Sequence, residues 1–284
     1  MVGPRGGVPA RRADRRRPFL VPRQDKHRDP FGQSRAGNDG DGLAVDARWR
    51  RPTDRHRGAG AQSSWSVGPV GDHEMGCNAT AVAPVWDMYA GAGAVQDFAT
   101  DMHVQQTYTT TGTLWIDGRA YPLSGVGFKD HSSGKRDFGA WSGHRFLIAV
   151  MPDWSLHAVT ITRDRDVLAS MGAVMVGGES IAVTQFDAAP LEDAEGTTKI
   201  QEVVVTGPAG PVSMRIELLH ALPITISDSN DNYNGVDWEY PGEPMVMVEG
   251  IVQLTDPNGA VGYGFLERSA RQSRLPRPSN VDAG

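Results

Sequence analysis

The chain contains 284 residues, of which 39% are hydrophobic, with 34 glycines and 19 prolines, a composition that suits one large domain or two small ones with many turns. It has no apolar run long enough to cross a membrane and no apolar core of a secretion signal, so a cytoplasmic location without a membrane span is expected. A single cysteine, Cys77, excludes an internal disulfide and has no metal-ligand spacing around it, so neither a metal nor another cofactor is predicted.

The formal net charge of −6 combines two unlike segments. Residues 1–60 carry 15 Lys and Arg against 7 Asp and Glu, whereas the rest of the chain carries 13 against 27. The basic segment has almost no aliphatic periodicity, so a disordered leader is predicted over residues 1–64. Three interpretations are open: an arm for nucleic acid or acidic lipid, a transit peptide, or the misread start of a GC-rich gene. Because few aromatic residues interleave with the arginines and the remainder is acidic, no nucleic-acid partner is predicted.

The first predicted element is a β-hairpin. Residues 104–116 and 119–128 are rich in Thr, Val and aromatic residues, and they flank Asp117-Gly118. An Asp-Gly dipeptide between two β-prone runs is typical of a two-residue hairpin turn. We therefore expect the two runs to pair as antiparallel strands.

Four further pairs of β-prone runs follow, each separated by turn residues such as Gly, Pro, Asp or Asn. They are residues 145–151 with 155–163, 167–176 with 179–186, 199–206 with 212–220, and 245–254 with 260–267. Alternation is clear where Met214, Ile216 and Leu218 share one face and Arg215 and Glu217 the other. No segment keeps a helical apolar period over three turns, so the predicted fold class is all-β, an antiparallel sandwich or barrel.

The densest group of polar residues in the predicted β region is segment 127–141, which combines carboxylates, an imidazole, cations and hydroxyls with three aromatic rings. Asp130 beside His131 could fix the imidazole tautomer and raise its basicity, although adjacent strand residues point to opposite faces. Arg136 could hold an anion through a bidentate contact. The alternative is a polar loop in which Asp130 and Asp137 cap backbone N–H groups and Arg136 pairs with one of them.

Segment 130–138, Asp-His-Ser-Ser-Gly-Lys-Arg-Asp-Phe, resembles the Asp-His-Ser-Trp-Gly-x-Arg-Asp-Trp signature of a bacterial family related to hydroxyneurosporene synthase. That family includes carotenoid hydratases, AttH-like proteins and Diels–Alderase-type cyclases. Two more stretches fit the resemblance in the same order, His-Val-Gln-Gln at 103–106 and Gly-Tyr-Gly-Phe-Leu-Glu at 262–267. The likeness spans residues 80–270 and implies two consecutive lipocalin-like β modules with a pocket for a lipophilic small molecule.

The resemblance also implies site residues. In the carotenoid hydratases an acidic residue and the His-x-Trp part of the signature are thought to protonate a double bond, and Asp130, His131 and Ser133 stand at those positions. Ser133 lacks the aromatic face that stabilises a developing carbocation, and Phe138 replaces the second Trp of the signature. Asp130 and His131 are therefore the candidate catalytic pair. The residues expected to bind the ligand or brace the site are His103, Gln106, Arg136, Asp137, Trp141, Tyr263 and Glu267.

Two functions are left open by these residues. The first is a hydratase, isomerase or cyclase-type enzyme that acts on a terpenoid, polyene or polyketide by His/Asp proton transfer. The second is a carrier or accessory module of the same fold without chemistry, which the loss of Trp at position 133 favours. The predicted organisation is a partial first β module at 65–125, a second module at 126–270 and a disordered tail at 271–284. No oligomeric state follows from the sequence.

A calcium site is not predicted, although five side chains follow the spacing of a calcium loop: Asp228, Asn230, Asn232, Asn234 and Glu239. The sharp turn of such a loop needs Gly, and Tyr233 stands at that position. A polar loop between strands is the expected structure.

Overall fold

The computed structural model describes residues 45–46, 62–70, 73–89, 102–134, 136–194, 202–227 and 232–277, all within one contact unit, Leu43–Gly284. Most of the predicted leader and positions 228–231 of the calcium-like frame lie outside the described residues. In the part that is described, no helix is long and apolar enough to span a membrane.

Six strands form the first antiparallel sheet: β1 (Val45–Asp46), β2 (Gln62–Val70), β3 (His73–Ala81), β4 (Trp86–Asp87), β5 (Met102–Ile116) and β6 (Arg119–Ser133). Strand β5 pairs with β3 and β4 along one edge and with β6 along the other. Between β5 and β6, Asp117 and Gly118 both have positive φ, at 52° and 71°. Asp-Gly tolerates this left-handed turn, whose twist matches that of the flanking strands, and the first predicted hairpin is confirmed.

Ten strands form the second antiparallel sheet, in the order β10-β9-β8-β7-β16-β15-β13-β12-β11, with β14 beside β13. They are β7 (Gly143–Val150), β8 (Trp154–Arg163), β9 (Asp166–Val176), β10 (Glu179–Val183), β11 (Gln185–Ala188), β12 (Glu202–Gly207), β13 (Gly210–Ile226), β14 (Asn232–Asn234), β15 (Met245–Thr255) and β16 (Val261–Arg271). The four further predicted hairpins are β7–β8, β9–β10, β12–β13 and β15–β16, and all four are confirmed.

The second sheet curls into a nearly closed barrel, which confirms the all-β fold class. The Thr184 N–H group, between β10 and β11, donates to Thr206 O at 2.8 Å, and this bond joins the two ends of the sheet. The alternation predicted on β13 is also found, since Met214 and Ile216 are buried while Arg215 and Glu217 are exposed. The barrel interior is filled by large apolar side chains, among them Leu147, Leu156, Phe186, Val203, Met214 and Leu254.

The first sheet packs on the outer face of the barrel. Residues alternate along β7, so that Leu147 and Ala149 enter the barrel interior while Phe146 and Ile148 face the first sheet. Across this interface the rings of Phe128 and Phe265 lie 5.1 Å apart. The layer between the sheets is therefore a second buried region, built from the opposite faces of the strands that form the barrel.

Two of the expected segment boundaries differ from the structure. Strand β6 runs through the expected division between 125 and 126, and the chain changes sheets only between Ser133 and Gly143. Strand β16 continues to Arg271, and the described residues beyond it pack on the barrel because Leu275 joins a buried apolar cluster. The division into modules itself stays a prediction.

Candidate functional site

The layer between the two sheets is lined by polar and apolar side chains together. The regular pairing of β5 and β6 places His103, Gln105 and Thr107 on the same face as Asp130 and Phe128, and that face contacts the barrel. Buried polar groups need hydrogen-bond partners, so the hydrogen bonds of these side chains determine which groups in the layer can donate to or accept from a ligand.

His103 and Asp130 form the pair at the centre of the site. The Nε2 atom of His103 lies 2.7 Å from Oδ1 of Asp130. An ionised carboxylate only accepts hydrogen bonds, so His103 donates through Nε2 and its Nδ1 becomes the basic nitrogen of the neutral ring. The Nε2 group of Gln105 donates to the second oxygen of Asp130 at 3.2 Å. The carboxylate thus fixes one tautomer of the imidazole.

Gln105 extends this network to a buried imidazole, because its Oε1 atom lies 3.0 Å from Nδ1 of His157. His157 is 0% exposed, and this burial lowers its pKa from 6.5 to about 3, while the charge of Asp130 acts in the opposite direction. The neutral ring donates through Nδ1 to Gln105. Its Nε2 is a buried acceptor without a hydrogen-bond partner among the residues that the structure describes.

Aromatic rings contact both imidazoles. The Trp86 ring lies 5.5 Å from that of His157, and Tyr89 meets His103 edge-on at 6.0 Å. Phe146 stacks with His103 at 6.4 Å between ring centroids. The rings cover the two imidazoles in part, whereas Asp130 lies at the exposed edge of the layer.

A second pair of acid–base groups lies beside Phe146. His144 Nε2 bonds Oε1 of Glu267, which is directly opposite Phe146 in the β7–β16 register, and His144 Nδ1 lies 2.5 Å from Ser269 Oγ. Glu249 stands opposite Glu267 on β15, and burial, followed by the negative charge of Glu267, raises the pKa of its carboxyl group. The bonds of His144 to Glu267 and Ser269 tie β7 to β16 on the face toward the first sheet.

An open cavity of about 320 Å³ lies near the other end of the layer. Val126 and Thr109 line it from the first sheet, and Val150 and Tyr263 line it from the barrel. Its buried polar side chain is Ser155, which is 1% exposed and accepts a hydrogen bond from Thr107 Oγ1 at 3.1 Å. The cavity therefore offers an apolar volume with a hydroxyl group at its buried side.

The structure separates the two residues of the predicted catalytic pair. Asp130 faces the barrel and bonds His103, whereas His131 follows it on β6 and lies on the opposite face, paired in register with Val104. Gln106 lies on that opposite face as well, where it donates to Ala83 O at 2.9 Å. Of the predicted residues on β5 and β6, only His103 and Asp130 enter the layer.

Two of the predicted site residues, Arg136 and Asp137, lie in the loop after β6 and form hydrogen bonds within that region of the chain. Asp137 accepts from the Gly139 N–H group at 2.9 Å and so caps the 3-10 helix Phe138–Ala140. Arg136 donates to Ser132 Oγ at 2.8 Å. Both contacts agree with the alternative of a polar loop.

The remaining predicted residues lie on the barrel side of the layer. Trp141 packs edge-on against His144 at 4.9 Å, Glu267 bonds the same imidazole, and Tyr263 lines the cavity. Sequence reasoning missed Gln105, His144, Ser155 and His157. The strand period gives a signal for two of them, because it places His144 on the same face as Phe146 and His157 on the same face as Val159, both buried.

Comparison with known proteins identifies the fold and a family. The model of a family described as a domain of unknown function (DUF7064) matches residues 12–272. This match includes most of the predicted leader, residues 1–64. No curated protein matches the chain.

Two solved structures are similar to the chain at low sequence identity. A crystal structure described as an AttH protein from Nitrosomonas europaea has a TM-score of 0.50 and 18% identity over 75% of this chain. CghA, crystallised with Sch210972, has a TM-score of 0.45 and 12% identity over 74% of this chain. The chain spans 65% of the length of each of these proteins. The first similarity establishes a lipocalin-like, AttH-type fold.

Proposed function

We propose that this chain, which belongs to the DUF7064 family, binds a lipophilic small molecule between its two sheets and transfers a proton on that molecule. The observation that carries the proposal is the hydrogen-bonded network of His103, Asp130, Gln105 and His157, which aromatic rings contact, in the layer whose other end holds the cavity. Apolar pockets with a few convergent polar groups are typical of small-molecule sites. An imidazole fixed by a carboxylate adds acid–base capacity to such a pocket.

His103 is the proposed proton-transfer group. With its Nε2 proton bonded to Asp130, the ring takes a substrate proton at Nδ1, and the carboxylate stabilises the imidazolium that forms. Return of that proton to a different substrate atom completes an isomerase- or cyclase-type reaction. If the protonated ring instead adds a proton to a double bond, water attacks the cation and gives its extra proton back to His103, the reaction is that of a hydratase. Asp130 is the positioning residue in each case.

Native mass spectrometry of the full chain purified from a terpenoid-producing bacterium tests the binding. The expected result is a co-purified lipophilic molecule. We then incubate that molecule with wild type, His103→Gln and Asp130→Asn. Since a positioned general acid or base contributes about 10²- to 10⁴-fold, conversion by His103→Gln should fall at least about 100-fold while the molecule still binds.

His131→Gln is the matched control, because this imidazole lies on the opposite face of β6 from Asp130. It should convert the molecule at the wild-type rate. Equal rates for wild type and His103→Gln would contradict the role of His103. A molecule that binds tightly and is never converted by wild type would establish the carrier function, which the Ser133 substitution favours.

A further inference from the structure

The cavity has a single charged side chain among the described residues that line it. This is Asp153, in the turn between β7 and β8, and the other side chains on the cavity wall are neutral. Most of them are apolar, and the neutral polar groups include the hydroxyl groups of Thr109, Ser155 and Tyr263. The wall therefore carries one formal charge, and that charge is negative.

The carboxylate of Asp153 is not used to stabilise its own turn. At four other places in the chain an aspartate accepts a hydrogen bond from the backbone N–H group two residues further along, and these are Asp87, Asp137, Asp237 and Asp256. Asp153 accepts no such bond and forms no ion pair within the part of the chain that the structure describes. Local capping, the usual role of aspartate in a turn, therefore does not account for this carboxylate on the cavity wall.

The cavity is open on the side of Asp153 and buried on the side of Ser155. Asp153 is exposed, as is Tyr263 at 46%, whereas Ser155 is only 1% exposed. Tyr263 pairs in register with Val150, which precedes Asp153 by three residues, so the ring and the carboxylate are both at the open side. A carboxylate and an aromatic face are the two groups that attract an ammonium ion.

The charge of the chain beyond residue 60 favours the same kind of ligand. It has 13 Lys and Arg against 27 Asp and Glu, so its field attracts cations and repels anions. Because moving an ion out of water without a partner is costly, a cationic group remains at the open side while an apolar body enters the cavity.

We propose that the ligand is a lipophilic amine, whose ammonium group pairs with Asp153 and lies against the ring of Tyr263. Its apolar body occupies the cavity against Val126 and Val150. A carboxylate of the same shape is repelled by Asp153, and an alcohol of that shape gains no ion pair, so the site discriminates against both. This inference rests on the proposed function, because it names the class of molecule that the same layer binds.

The test compares three probes with one apolar body, 2-(aminomethyl)naphthalene, 2-naphthalenemethanol and 2-naphthoic acid, which are cationic, neutral and anionic at neutral pH. Their dissociation constants are measured by isothermal titration calorimetry of the full chain. An exposed ion pair together with a cation–π contact predicts that the amine binds about 5- to 10-fold more tightly than the alcohol. The acid should bind more weakly than the alcohol.

Asp153→Asn keeps the shape of the side chain and removes its charge, so the ratio of the amine and alcohol affinities should fall to about twofold or less. Glu217→Gln is the matched control, because it removes one negative charge at an exposed position of β13 that does not line the cavity. It should keep the wild-type ratio.

An independent readout needs no variant. Salt screens exposed charges, so an increase of about tenfold in NaCl concentration should lower the ratio in wild type. Equal affinities for the amine and the alcohol, an undiminished ratio in Asp153→Asn, or a ratio that does not change with salt would overturn the inference and leave lipophilic binding standing. Failure of all three probes to bind would overturn the inference and the proposed binding function together.

Discussion

The barrel interior and the layer between the sheets are built from opposite faces of the same strands. On β8, Leu156 and Ala158 enter the barrel interior, whereas Ser155 and His157 face the first sheet. Both faces are buried, but one is filled almost entirely by aliphatic groups and the other carries imidazoles, amides and carboxylates. Burial alone therefore does not distinguish a folding core from a candidate site. The two are distinguished by the number of buried polar groups that need hydrogen-bond partners.

Toward one end of the barrel interior, Arg145 and Arg268 lie directly opposite each other on β7 and β16. Burial lowers the pKa of both guanidinium groups, and nearby acidic residues act in the opposite direction, Asp187 on Arg145 and Asp193 on Arg268. Arg268 also donates to Pro190 O at 3.2 Å. These interactions hold residues 187–194 across the end of the barrel, so the two arginines stabilise the fold.

The largest expected effect is a loss of stability caused by a substitution in the barrel interior. Phe186 is 0% exposed within the apolar core, so Phe186→Ala removes a large buried ring and leaves a cavity. The free energy of unfolding should fall by about 3–5 kcal/mol in urea denaturation. The control is Val167→Ala at an exposed position of β9, where a change within about 0.5 kcal/mol is expected. A similar small loss for Phe186→Ala would contradict the packed core.

The next largest expected effect is a pH-dependent loss of stability that comes from His157 in the layer between the sheets. Well above pH 6.5 His157 is neutral in the folded and in the unfolded chain, so it adds no pH dependence there. As the pH falls from 6.5 toward 3, the unfolded chain binds a proton that the buried ring, with its pKa of about 3, does not. Between pH 6 and pH 4 this linkage should lower the free energy of unfolding by about 2.5 kcal/mol.

The measurement is the difference between wild type and His157→Phe in urea denaturation at the two pH values. Because the other titrating groups are common to both proteins, the loss between pH 6 and pH 4 should be smaller in the variant. Parallel curves would show that His157 takes up its proton in the folded chain as readily as in the unfolded one.

The smallest expected effect concerns one hydrogen bond in the layer. Thr107→Val keeps the shape of the side chain but removes the donor to Ser155, so stability should fall by about 1 kcal/mol. Thr111→Val, at an exposed position of the same strand, is the matched control and should be nearly neutral. If the two variants were equally stable, the bond between the sheets would contribute nothing measurable.

The sequence predicts the hairpins well because their determinants are local. Asp117-Gly118 and Gly177-Gly178 adopt positive φ at tight turns, and the β-prone runs on either side leave little choice of partner. The pairing of β5 with β6 also follows from that first turn. A two-residue loop at 117–118 puts His103 opposite Ser132, which is the neighbour of Asp130 on the same face of β6. The His103–Asp130 contact therefore follows from the register of this hairpin.

The rest of the site depends on contacts between sheets, which no local pattern specifies. His144 and His157 are single imidazoles in apolar strands, and only the docking of the first sheet brings Gln105 to His157. The pairing of Asp130 with its sequence neighbour His131 was the natural inference from the motif, but strand alternation places the two on opposite faces.

Photolabelling with benzophenone tests most directly the claim that the layer between the sheets, and not the barrel interior, receives a lipophilic molecule. The full chain is irradiated with the probe, digested and mapped by mass spectrometry, and the two regions are told apart by Met175, which lines the cavity, and Met214, which fills the barrel. If the molecule binds in the layer, adducts form at Met175 and at Tyr263 and not at Met214. Adducts concentrated at Met214 or Phe186 would contradict binding in the layer.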